Sequence, residues 1–313
     1  MTGMELSRNF YETCGAPMLR EQFPELLPLL AVGLVGSGSE CFGYDDALSR
    51  DHDFEPGFCI FLPDEDVVSR QDCFRLERTY AKLPKEFLGF RRSLMNPAGG
   101  NRHGVFRTGD FYEAKTGSRD GDLTVGQWFS LPSSALAEAT NGEVFSDGYG
   151  QFTRIRKALL RMPEDIRKKK LAGHLCLMAQ SGQYNYARCL DHGEPGAAQL
   201  AAVSFVQSAM SVIFLLNRRH QPFYKWSFRA LRGLPVLPEI ADPLERILST
   251  GNDGDLPLEK QRLIHLVASA VAGQLTQTAL SRAEGIDLGR HATSVNDGVA
   301  DPVIRNADLL AAV

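Results

Sequence analysis

Two aspartates separated by a single residue, Asp51 and Asp53, follow a glycine-serine bend, Val35-Gly36-Ser37-Gly38-Ser39. Residues two apart on a β-strand project to the same face, so an Asp51-His52-Asp53 segment at the head of a strand aims both carboxylates one way and His52 the other. Paired carboxylates are hard oxygen donors suited to Mg²⁺ (or Mn²⁺), a cation that commonly sits between such groups and substrate phosphates. The bend offers backbone amides and the hydroxyls of Ser37 and Ser39 to a phosphate chain, because short or absent side chains let that chain approach. Alone, a Gly-Ser bend is usually a loop, and an isolated acidic pair is common on solvated surfaces. The order of parts is more specific: a strand, the bend, the thirteen residues Gly38 to Arg50, then the acidic pair.

These residues need elements to hold them. Leu29 to Val35 is short, continuously apolar and stopped by the bend, which predicts a buried strand; Gly57 to Leu62, stopped by Pro63, predicts a second. Gln71 to Leu83 reads as a helix, Gly104 to Thr108 as a third strand, and Phe111 to Lys115 as the start of another helix. The expected fold is α+β, with a small mixed-sheet domain over residues 1–148. Beyond Asp147-Gly148-Tyr149-Gly150 strand-like runs vanish and apolar residues recur at three- and four-residue spacing. An all-helical domain is therefore expected over 149–313, with long helices over Asp165 to Leu190, Ala197 to Asn217 and Leu258 to Arg282. A third carboxylate often completes a two-aspartate metal site as ligand or base. The third predicted strand carries none; Asp110 is the first candidate, with Glu113 and Glu55 as alternatives.

The chain has 313 residues, 43% of them hydrophobic, and 34 Lys plus Arg against 38 Asp plus Glu for a net charge of −4. This excludes a generic nucleic-acid coat. Six scattered cysteines without a CxxC pair argue against structural zinc and for a reducing compartment. The start lacks a signal-peptide pattern, and the most apolar stretch, Ala209 to Leu216, is shorter than the roughly 20 residues a bilayer requires. No membrane span and a cytoplasmic location are expected.

The Gly-Ser bend, a spacer of this length and Asp-x-Asp resemble the signature of the nucleotidyltransferase superfamily, which includes the kanamycin-type antibiotic nucleotidyltransferases and DNA polymerase beta. GSGSECFGYDDALSRDHDFEPGFCIFLP is similar to the opening of a bacterial family of nucleotidyltransferase-like proteins with a helical C-terminal domain. GQYNYARC (Gly182 to Cys189) and LLNRRHQPFYKWSFRALRGLP (Leu215 to Pro235) are similar to its later motifs, in the same order. The resemblance spans roughly residues 30 to 240. It implies transfer of a nucleoside monophosphate from an NTP, with ATP the expected donor, and release of pyrophosphate, in a cleft between the two domains. It also implies that Gly36 and Ser37 hold the triphosphate while Asp51 and Asp53 hold Mg²⁺. The chemistry is consistent, since phosphoryl-type transfer consists mainly of positioning and charge neutralisation.

In the second half, Lys225 between Tyr224 and Trp226 places a point charge beside amphipathic rings, which suits a polyphosphate and a base; packing of the rings is the plainer account. Gln183, Tyr184, Asn185 and Arg188 fall within two helical turns and either line a substrate cleft or cap helix packing. The run Arg167 to Lys170 is read as a solvated face, though it leaves a polyanion such as tRNA open. The expected partners are a nucleoside triphosphate and, in preference to nucleic acid, a small-molecule acceptor hydroxyl. Two further readings stay open: a toxin-like enzyme modifying tRNA or protein, and a catalytically degenerate nucleotide-binding regulator.

Overall fold

The computed structural model of the chain describes residues 1–46, 54–92 and 102–313. It divides into two compact units, and the chain passes between them more than once. The first holds Met1–Leu123 and Ala135–Leu160, the second Thr124–Ser134 and Arg161–Val313.

The first unit is α+β. Its strands are β1 (Ala31–Leu34), β2 (Cys59–Leu62), β3 (Glu86–Phe87), β4 (Phe90–Arg91), β5 (Gly104–Arg107) and β6 (Glu143–Asp147). β5-β2-β1-β6 form a mixed sheet in which only β2 and β5 run parallel, while β3 and β4 make a separate hairpin. The register pairs Val32 with Ile60 and Ile60 with Val105. β1 and β2 are buried at every position, as expected of continuous apolar runs covered on both faces. One covering layer joins Phe10 of the Gly3–Phe10 helix, Phe58, and Leu76 and Tyr80 of the Arg70–Ala81 helix. Tyr80 is fully buried, and its hydroxyl donates to the Phe58 carbonyl at 2.8 Å, so the phenol fixes the entry to β2 without leaving a polar atom unpaired.

The second unit is entirely helical. Its core is the Pro195–Leu216 helix, whose Phe205, Ala209, Val212 and Ile213 are fully buried among residues of the Glu164–Met178, Ala241–Ser249 and Leu256–Gln277 helices. This helix is long and apolar enough to cross a membrane by length and composition alone, and it is longer than the apolar stretch Ala209 to Leu216. Its burial among other helices is that of a core helix.

The strands and long helices that the sequence predicts are present, while β3, β4, β6 and the Gly3–Phe10 helix are additions, and the partition differs in two places. The Gln151–Leu160 helix belongs to the first unit, because Phe152 meets Phe61 at 4.4 Å between ring centroids and its carbonyl accepts from the Tyr112 hydroxyl at 3.1 Å. Residues 124–134 belong to the helical unit, because the Val125–Ser130 helix packs on Glu164–Met178. The boundary expected at 148/149 is therefore a double exchange of chain. β2 begins only at Cys59, so it does not extend back to the acidic pair.

Candidate active site

The Gly-Ser bend leaves β1 with Gly36 and Gly38 at φ of +104° and +127°, a region that side chains disfavour. At Gly38 a Cβ would also collide with the Arg102 guanidinium and the Glu40 carboxylate. Asn141, which leads into β6, clamps the bend from both sides: its Oδ1 accepts from the Gly36 amide at 2.8 Å and its Nδ2 donates to the Gly36 carbonyl at 2.7 Å. Ser37 is exposed. Lys115, near the end of the Thr108–Thr116 helix, donates to Ser37 Oγ at 3.1 Å and pairs with Glu138, which also accepts from the Ser37 hydroxyl at 2.9 Å. On the other side Arg102 donates to the Ser37 carbonyl at 3.2 Å and pairs with Glu40.

The bend is thus an exposed serine held between an ammonium and a guanidinium. The amides of Ser37, Gly38 and Ser39 donate to no acceptor among the described residues. Unpaired amides flanked by two cations are the groups that bind a polyanion. Lys115, Arg102 and Asn141 were not singled out from sequence. Lys115 and Arg102 lie at or beside predicted elements and Asn141 beside none, and each acts on the bend from far along the chain.

Asp110 lies in the first turn of the Thr108–Thr116 helix, exposed, and accepts from Arg119 at 2.5 Å; the same guanidinium also binds Glu113 at 3.0 Å and Asp64 at 2.6 Å. Three carboxylates hold Arg119 charged by hydrogen bonding. Asp110 and Lys115 line one depression of about 440 Å³ with Cys73, Glu77, Arg107 and Phe111, and a Cβ on Gly36 would touch Phe111. The helix carrying Asp110 therefore abuts the bend. Glu55 faces His103 at 3.4 Å. Asp51 and Asp53, with His52, lie outside the described residues. Among those described, no group of three or more His, Cys, Asp or Glu is placed to hold a metal ion. Glu40 and Glu138 beside the bend are already paired with cations.

In the helical unit, the Gly182 to Cys189 motif falls on a π-helical stretch, Ala179–Asn185, that runs into Tyr186–Asp191; such stretches are frequent at functional positions. Gln183 serves packing: it donates to the Ile286 carbonyl at 2.7 Å and accepts from the Leu288 amide at 3.0 Å. Tyr184 is exposed, with Arg188 donating to its hydroxyl at 3.1 Å and lying over its ring, and Asn185 is exposed beside them. Tyr224 and Lys225 open the Tyr224–Arg232 helix; Tyr224 leans on Phe223 and the Lys225 ammonium sits 5.0 Å over the Trp226 ring.

The run Arg167 to Lys170 is not a solvated face. Arg167 donates to the Leu215 carbonyl at 3.1 Å, Lys168 to Gly298 at 2.6 Å, Lys169 to Arg305 at 3.1 Å and Ala307 at 2.7 Å, and Lys170 to Phe129 and Ala312, both at 3.0 Å. Most of these carbonyls end helices, where cations are favoured. Lys169 is fully buried.

Residues 128–227 are similar to a family described as a domain of unknown function (DUF4037), a match over less than half of the chain. No curated protein and no solved structure matches the chain.

Proposed function

We propose that this chain is a nucleotidyltransferase, moving an NMP from an NTP to a hydroxyl of a small-molecule acceptor. The acceptor oxygen bonds to the α-phosphorus, the bond to the β-phosphate bridging oxygen breaks, and pyrophosphate leaves while the hydroxyl proton passes to a base. The observation that carries the reading is the Gly-Ser bend around exposed Ser37, with three amides unpaired among the described residues between Lys115 and Arg102. Gly36, Ser37 and Ser39 would receive the triphosphate there. Asp51 and Asp53 would hold Mg²⁺, whose part is charge neutralisation. Tyr224, Lys225, Tyr184, Asn185 and Arg188 belong to the helical unit and are not needed by this reading.

Two internal observations weigh among the alternatives. Because Arg167 to Lys170 are spent on carbonyls, the basic run gives no support to an RNA substrate. Because Asp110 and Glu113 are tied to Arg119, the regulator reading keeps a footing. The test is incubation with each NTP, Mg²⁺ and a cell extract. Pyrophosphate release is expected from the native chain and not from Asp51→Asn; release that survives Asp51→Asn sinks the assignment, and Mg²⁺-dependent NTP binding without release points to the regulator.

A further inference from the structure

The helical unit contains a cavity of about 440 Å³, a size ordinary for small-molecule sites. Its lining belongs to that unit alone and carries no acidic side chain; its charged side chains are Lys170 and Arg219. Lys170 spends two of its three N–H donors on the Phe129 and Ala312 carbonyls, which leaves one. Arg219 is exposed, and among the described residues its guanidinium has no partner. His174, one helical turn from Lys170 and also in the lining, has a buried Nδ1 with no hydrogen-bond partner. A buried imidazole nitrogen left unpaired is costly, and a ligand group would satisfy it.

The remaining wall is aromatic. Phe223 and Tyr224 are 50% and 77% exposed, with ring centroids 4.3 Å apart. Exposed paired rings at the edge of a cavity offer a ligand ring an apolar, offset-stacking surface. The polar wall between is fixed in advance, since the Gln221 side chain accepts from Ser211 at 3.0 Å and donates to Ser227 at 3.2 Å, and its backbone N–H donates to Ser133 Oγ at 2.6 Å.

We propose that this pocket binds a small aromatic organic acid, its carboxylate or phosphate monoester on Lys170 and Arg219 and its ring against Phe223 and Tyr224. A hydroxyl on the ring would partner His174. The site does not rest on the nucleotidyl-transfer reading, and its test contains no nucleotide.

The full chain is titrated calorimetrically with benzoate, 4-hydroxybenzoate, phenyl phosphate and, as the cationic counterpart, benzylamine. Binding of at least one acid is expected, the carboxylate and phosphate arms showing which acidic group the site takes. Arg219→Ala and Lys170→Met should each weaken it about tenfold, the loss expected for one charge-assisted hydrogen bond. His174→Phe should lower affinity for 4-hydroxybenzoate more than for benzoate if the acid is a carboxylate. Arg219 is exposed, so its variant decides the matter even where Lys170→Met fails to fold. Failure of every acid to bind at millimolar concentration, equal binding of benzylamine, or unchanged affinity in Arg219→Ala overturns the proposal.

Discussion

At the scale of single residues, the clearest consequences come from groups whose surroundings are fixed. His174 is held neutral to about pH 4, first by burial and then by the neighbouring Lys170 charge. Its pKa is lower in the folded chain than in the unfolded one, near 6.5. The unfolded chain therefore takes the proton first, and falling pH favours unfolding between about 6.5 and about 4. Thermal melts across that interval should show stability declining with acid, and His174→Gln should flatten the decline. Glu164 loses stability in the same direction at lower pH, for the opposite physical reason: its charged form is the favoured one. Hydrogen bonds from Arg167 and Arg218 hold its carboxyl down to about 2, so its stabilising contribution is complete above the ordinary carboxylate range and is lost as pH falls toward 2. Gly38 sets a conformational limit. Gly38→Ala should cost about 1–3 kcal/mol from the disfavoured φ alone, with more from the collision, and should abolish NTP binding. Gly43→Ala, at φ +68° with open space around it, should cost about 1 kcal/mol and leave binding intact. Equal losses in the two variants would remove the bend's special status.

At the scale of elements, the Glu164–Met178 helix acts as a fastener, since four successive basic residues reach carbonyls on separate segments. Lys169→Met leaves Asn296 Oδ1 and the Ala307 carbonyl without a donor, the Arg305 carbonyl keeping its bond from Asn296 Nδ2, and should lower stability by about 3 kcal/mol. Lys168→Met loses one bond and should cost about 1 kcal/mol. Denaturant titration of both separates a fastening run from a solvated one, for which the two losses would be equal and small. This role was hidden in the sequence because a run of charges has the same composition whether its partners are water or carbonyls. The elements themselves were more legible. β1, β2 and β5 were readable because short, continuous apolar stretches meet turn residues, and the long helices because 22 residues of Pro195–Leu216 sustain their pattern. β6 escaped notice because Glu143, Ser146 and Asp147 dilute its apolar content, and the Gly3–Phe10 helix because its signal is a capping box rather than a long periodicity. In the site, glycine and serine marked the bend directly. Lys115 and Arg102 reach it from 78 and 65 residues away in the chain, and no local pattern carries such a pairing.

At the scale of the whole molecule, the two units are interleaved, so a cut at the composition change near residue 148 falls inside the first unit. Separate fragments 1–148 and 149–313 should be poorly soluble. The first loses Phe152 and Ile155 from its core, and the second lacks the Val125–Ser130 helix. Mixing co-expressed fragments and measuring recovery by size-exclusion chromatography checks this; two well-folded monomers would contradict it. The cysteines offer a readout of global unfolding. None is disulfide-bonded, and burial pushes the Cys59 thiol up to about 12 and raises Cys41 as well, so both should resist a thiol reagent until the first unit opens. The sheet order has a further consequence on the ribosome. β1 has β6 as its second neighbour, yet more than a hundred residues separate them. At about 5–20 residues per second, the nascent chain carries a bare β1 edge for on the order of ten seconds, an interval in which a chaperone or a neighbouring polypeptide has its opening.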